Sequence, residues 1–115
     1  MKLAIVGSRS FTDYILLEKS VPASTTEIIS GGAKGADSLA AEYAKNNETP
    51  LTVCLPKFKT DKTIKYHPRW YLERNQTIID KADKVLAFWD GKSKGTKFTI
   101  DYARKTNKPV KIIHI

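Results

Sequence analysis

Five short apolar runs, separated by segments of helical period, set the strongest limit on what this chain can fold into. "KLAIV" (2–6), "TEIIS" (26–30), "LTVCL" (51–55), "KVLAF" (84–88) and "VKIIHI" (110–115) are rich in β-branched residues, and none alternates cleanly. Such runs suit strands covered on both faces, as in a parallel sheet. Between them, Ala36, Leu39, Ala40, Tyr43 and Ala44 form an apolar stripe at helical spacing, and Tyr14, Leu17 and Val21 form a shorter one with Thr12 or Asp13 as its cap. Tyr71, Asn75, Ile78 and Ala82 mark a third helix. Thr96, Thr99, Ile100 and Ala103 open a fourth that ends near Asn107, before Pro109. The order βαβαβαβαβ predicts a doubly wound α/β fold with right-handed crossovers. It forms one domain over residues 1–115, a length sufficient for a single core. Residues 56–70, "PKFKTDKTIKYHPRW", are the one long irregular connection, and a loop of that length in a compact domain usually has a function or is mobile.

That topology also says where a ligand would sit. In open α/β sheets, ligands bind beyond the carboxyl ends of the strands, where the strand order reverses. For the order 3-2-1-4-5 this point lies between strands one and four. Three loops converge there: "GSRS" (7–10), "GGAKGAD" (31–37) and "DGKSKGT" (90–96). Glycines allow tight turns and close approach to bare amides, and a turn that runs into a helix favours an anion. The loops also carry the cations Arg9, Lys34, Lys92 and Lys94 and the hydroxyls of Ser8, Ser10, Ser30, Ser93 and Thr96. This is the inventory of a phosphate cradle. Neither G-x-G-x-x-G nor GxxxxGK[ST] spacing occurs, which disfavours an ordinary NAD dehydrogenase or a P-loop ATPase. Each loop alone is equally readable as a tight turn or helix cap, and Asp37 as the cap of the second helix.

The motifs "IVGSRSF", "IISGGAKGAD", "ERNQTII" and "ADKVLAFWDGKSKGT" together resemble the SLOG superfamily, and most of all its small YspA-like branch. The resemblance implies a three-layer Rossmann-like α/β fold: a five-stranded, mainly parallel sheet of order 3-2-1-4-5 with helices on both faces. It also implies a pocket for a phosphorylated, nucleotide-derived ligand. Carried over by position, Gly7, Ser8 and Arg9 line one side, and Gly31, Gly32, Lys34, Gly35 and Asp37 form the floor. Arg74 and Asn75 point in from the third helix, and Asp90, Gly91, Ser93, Gly95 and Thr96 complete the phosphate grip. Without the resemblance, Arg74 reads as a surface ion pair with Glu73 or Asp80, and Trp70 and Trp89 as packing rather than base-stacking residues.

The superfamily includes LOG phosphoribohydrolases, whose PGGxGTxxE motif supplies a glutamate that assists cleavage of the base–ribose bond. Here "GKSKGTKFT" keeps the GT but places Thr99 at the glutamate position, and threonine neither acts as a base at neutral pH nor stabilises a developing positive sugar. The expectation is therefore a binding protein acting as sensor, carrier or sequestering agent, with no catalytic residue, metal or cofactor. A nucleotide-processing N-glycosidase is the alternative. A second alternative is DprA-like binding of single-stranded DNA, for which Lys57, Lys59, Lys62, Lys65 and Arg69, interleaved with Phe58, Tyr66 and Trp70, have the right composition.

Charge agrees with an anionic partner. The net charge of +8 is uneven: residues 1–56 hold five basic against six acidic side chains, and residues 57–115 fifteen against six. No apolar stretch approaches the ~18 residues of a membrane span. The lone Cys54 forms no internal disulfide and reads as a small buried side chain in a cytoplasmic protein. A sheet this small leaves a helix face exposed, and SLOG relatives self-associate, so a homodimer or larger assembly is expected.

Overall fold

The computed structural model describes residues 1–115. The apolar runs form β1 (Lys2–Gly7), β2 (Glu27–Ser30), β3 (Leu51–Val53), β4 (Lys84–Trp89) and β5 (Val110–His114). They make one sheet of order β3-β2-β1-β4-β5, and all four pairings are parallel. β1 is the central strand. It pairs with β2 from Lys2↔Glu27 to Ala4↔Ile29 and with β4 from Leu3↔Lys84 to Gly7↔Phe88. Strand β3 is shorter than its apolar run: it ends at Val53, Cys54 N still donates to Ser30 O at 2.8 Å, and Pro56 then opens the following helix.

Helices α1 (Tyr14–Ser20) and α2 (Ala36–Asn46) lie on one face of the sheet. Their buried Leu17, Ala36, Ala40 and Ala44 join Leu3, Ile5, Ile28, Leu86 and Phe88 in one core layer, where Phe11 stacks on Phe88 with ring centroids 4.5 Å apart. On the other face, α4 (Arg69–Lys81) and α5 (Lys94–Lys105) bring Ile78, Ile79, Ile100 and Ala103 against Ala4, Val6, Ile29, Val85 and Ala87. Alternate residues of β1 and β4 thus serve opposite layers, which is why these strands read as unbroken apolar runs. Asp13, rather than Thr12, caps α1 by accepting a hydrogen bond from Leu16 N at 3.0 Å.

The connection 56–70 is less irregular than its sequence suggests. Residues Lys57–Thr60 form a single helical turn, α3, after Pro56, and α4 already begins at Arg69 behind Pro68. Pro suits both positions because the amide it lacks would have no partner at a helix start.

Candidate functional site

Beyond the carboxyl ends of β1 and β4 lies a cavity of about 460 Å³. Ten of the residues singled out from the sequence line it: Gly7, Ser8, Arg9, Asp37, Arg74, Asn75, Asp90, Ser93, Gly95 and Thr96. Gly31, Gly32, Lys34, Gly35 and Gly91 do not line it. Ser10, Ala33, Tyr71, Leu72, Thr99, Val6 and Ile78 complete the wall.

The loop between β2 and α2 uses its glycines to pack protein against protein. A Cβ on Gly31 would sit 2.7 Å from Arg74 Nη1 and 3.0 Å from Asp37 Oδ2. The missing side chain makes room for the guanidinium, which donates to Gly31 O at 2.6 Å and to Cys54 O at 3.5 Å. Gly35 has φ +73°, ψ −125°, and a Cβ there would strike the backbone of Ser8 and Arg9. It lets α2 start directly on the β1–α1 loop, where Ala36 N donates to Ser8 O at 3.4 Å. Gly32 is exposed and packs toward Val53 and Leu55, and Lys34 is exposed beside it. Only Ala33 and Asp37 of this loop reach the cavity. Asp37 is not the N-cap of α2. It lies in the first turn, and its Oδ2 accepts from Ala33 N at 3.0 Å, folding the loop back on itself.

The loop between β4 and α5 is organised differently. Asp90 Oδ1 accepts from the amides of Lys92 and Ser93, each at 2.8 Å, which fixes the turn through Gly91. Ser93 caps α5, and its hydroxyl lies 3.0 Å from that of Thr96. Gly95 follows in the first helical turn, and a Cβ there would meet nothing within 4 Å. Here the backbone is bare toward open space. The Thr96 amide donates to Ser93 Oγ at 3.4 Å, and the positive dipole end of this 12-residue helix lies at the cavity wall beside two hydroxyls.

Between these loops stands Ser8, 2% exposed, whose hydroxyl makes no hydrogen bond of normal geometry. It lies close enough to Asp90 to contribute to lowering that carboxyl. Arg9 is exposed, with its guanidinium 5.7 Å from the Tyr71 ring centroid. Arg74, by contrast, is 8% exposed and already committed: besides the two carbonyls, its Nε donates to Asn75 Oδ1 at 2.9 Å. The ion pair with Glu73 or Asp80 that the residues alone would suggest is not made, since Glu73 pairs with Lys57 at 2.9 Å and Asp80 accepts from Tyr102 at 2.7 Å.

The two carboxylates of the cavity are pushed in opposite directions. Burial raises the Asp37 carboxyl, opposed by the Ala33 amide and the Arg74 charge. The Ser93 and Lys92 amides lower that of Asp90. Thr99, where a glutamate would stand in the LOG motif, is 2% exposed and donates its hydroxyl to Gly95 O at 2.9 Å.

Tyr71 is the aromatic residue of the cavity, and sequence reasoning placed it in the core stripe. The stripe is real, but only Ile78 and Ala82 at its far end are buried; the half nearer the start of α4 faces the cavity. Phe58 and Tyr66 meet Tyr71 edge-on at 5.5 and 6.3 Å, so the basic segment is seated against the cavity wall. Trp70 carries Lys57 and Arg69 over its ring at 5.2 and 4.6 Å and donates Nε1 to Lys65 O. Trp89 packs against the α4/α5 layer and donates to Ser93 O, bracing the α5 cap from behind.

A family model described as YAcAr, the YspA, cpYpsA-related SLOG family, matches residues 1–60. No curated protein shows a significant sequence match. Among solved structures, DNA processing protein A (DprA) from Streptococcus pneumoniae aligns with a TM-score of 0.80 at 20% identity, covering 96% of this chain and 49% of that one. DNA processing protein A from Helicobacter pylori, whose structure concerns its single-stranded DNA binding mode, aligns with a TM-score of 0.77 at 25% identity, covering 97% of this chain and 64% of that one. The likeness establishes the Rossmann-like fold, and this chain spans less than two thirds of either neighbour's length.

Proposed function

This chain belongs to the YspA, cpYpsA-related SLOG family, and from that premise we propose that its cavity binds a nucleotide-derived, phosphorylated ligand without catalysing a reaction on it, as a sensor, carrier or sequestering protein. The observation that carries this reading is the start of α5, where open space over Gly95 leaves room for an anion at the helix's positive end, beside the hydroxyls of Ser93 and Thr96. The exposed Arg9 supplies a counter-charge at the rim. The absence of catalysis is argued from Thr99, whose hydroxyl is turned into its own helix.

Calorimetric titration with ribose 5-phosphate and nucleoside monophosphates tests the reading. Wild type is expected to bind, and Gly95→Leu, which fills the open space, to lose binding without lowering its unfolding midpoint. Equal binding by both proteins would place the phosphate elsewhere. Release of free base at an enzymatic rate, followed by chromatography, would overturn the non-catalytic reading.

A second reading, single-stranded nucleic-acid binding, is favoured by the exposed Lys59, Lys62 and Lys65 beside the cavity and by the DNA-binding neighbour from Helicobacter pylori. Oligonucleotide binding that survives Gly95→Leu but fails with Lys59→Ala would select it. We also propose self-association, supported by the exposed apolar Ile15, Val53 and Leu55; a monomer mass by light scattering at micromolar concentration argues against it. A cytoplasmic location is supported by the single free Cys54 and is checked by cell fractionation.

A further inference from the structure

A second, shallower cavity of about 340 Å³ adjoins the first, and Ser10 and Asp90 line both. Its other walls are Phe11, Thr12, Asp13 and Leu16 of the β1–α1 connection and Ile115 beyond β5. Building on the reading above, we propose that this second cavity is the base subsite of the bound nucleotide, and that it selects guanine.

The aromatic rings beside the first cavity are already occupied. Tyr71 carries the guanidinium groups of Arg9 and Arg74 at 5.7 and 5.6 Å, with Phe58 and Tyr66 at its edges. Trp70 is flanked by Lys57 and Arg69. Stacking a base on either ring would displace cations from it. A phosphate held at Gly95 has another exit, past Ser10 and Asp90, into the second cavity, where Leu16 and Ile115 offer apolar surface to a flat ring over the buried Phe11.

The polar groups of this cavity then choose the base. Two carboxylates line it, Asp13 and Asp90. Asp13 uses Oδ1 for the Leu16 amide and leaves Oδ2 without a hydrogen bond, while Asp90 uses Oδ1 for the Lys92 and Ser93 amides and has the Ser8 hydroxyl close by. An ionised carboxylate only accepts hydrogen bonds. It therefore suits the adjacent N1–H and N2–H donors of guanine. Adenine presents an acceptor beside its amine, and uracil flanks its one N–H with carbonyl oxygens that a carboxylate repels.

Calorimetric titrations with GMP, AMP, UMP and ribose 5-phosphate test the proposal on wild type and Asp13→Asn. Asparagine still caps α1, so this variant removes the charge while keeping the helix start. GMP is expected to bind on the order of tenfold more tightly than AMP, UMP or ribose 5-phosphate. Asp13→Asn should reduce GMP to the level of AMP and leave ribose 5-phosphate unchanged. Equal affinities for GMP and ribose 5-phosphate, or a uniform loss across all four probes in Asp13→Asn, would overturn the base subsite while leaving a phosphate site at Gly95 standing. Failure of every probe to bind would overturn both.

Discussion

Two glycine-bearing loops meet at the same end of the sheet and put glycine to opposite uses. In residues 31–37, absent side chains let protein close on protein: Gly31 admits the Arg74 guanidinium, and Gly35 admits the backbone of Ser8 and Arg9. In residues 90–96, Gly95 faces empty space at the first turn of a long helix. The first loop spends its polar groups internally, on Ala33 N, Gly31 O and the Arg74 charge. The second completes its turn with Asp90 and opens a long helix at the cavity wall. Glycine content alone therefore does not identify a ligand loop; what a Cβ would meet separates glycines that pack protein on protein from those that leave open space.

The largest expected effect is structural. Arg74→Ala leaves buried acceptors at Gly31 and Cys54 and the half-buried Asp37 without their cation, and should destabilise the protein by about 3 to 4 kcal/mol in denaturant unfolding. Gly35→Ala comes next, at about 2 to 3 kcal/mol, because a side chain at that φ collides with fixed backbone. A neutral result for either would mean that the β2–α2 loop is loosely held and free for ligand after all.

Arg9→Ala, at an exposed position, should leave stability within about 0.5 kcal/mol. It should weaken phosphate-ligand binding by about 1 to 2 kcal/mol, roughly five- to thirtyfold by calorimetry. Gly95→Ala should invert the Gly35 result. It gains about 0.5 to 1 kcal/mol of stability from helix propensity while weakening the ligand. Loss of stability at Gly95 would erase the contrast between the loops.

Asp37 offers a pH-dependent check. Its folded-state carboxyl is raised above the ordinary 3.8, chiefly by burial. The native state therefore holds this proton to higher pH than the unfolded chain, and the stability it contributes is lost as pH climbs from 3.8 through the raised value. Asp37→Asn should gain on wild type over that window in thermal unfolding, whereas lowering of the Asp90 carboxyl contributes stability that disappears as pH falls below 3.8. The smallest effect belongs to Lys59→Ala, expected within about 0.5 kcal/mol for both stability and small-ligand affinity.

The sheet and its strand order were legible because apolar runs and helical stripes alternate, and right-handed crossovers leave few topologies for that alternation. The position of the cavity followed from the reversal of strand order between β1 and β4. Residue roles were harder to read where partners lie far apart in sequence. Arg74 bonds the backbone of Gly31, and no local pattern distinguishes that from the neighbouring acids Glu73 and Asp80. Tyr71 shares a helical stripe with core residues, and only the three-dimensional path of α4 shows that the sheet ends before the stripe does.

The central place of β1 has a consequence for how the chain acquires its structure during synthesis. Its second neighbour, β4, starts at Lys84, so a growing chain exposes one long edge of Leu3–Val6 until the second half has emerged. An unpaired, apolar, parallel edge is a template for wrong partners, and late closure of such a ladder slows folding. Pulse-labelled hydrogen exchange should therefore show the β1–β4 amides protected after those of α2. A ligand bridging the loops of β1 and β4 would find its site only in chains that had completed that step.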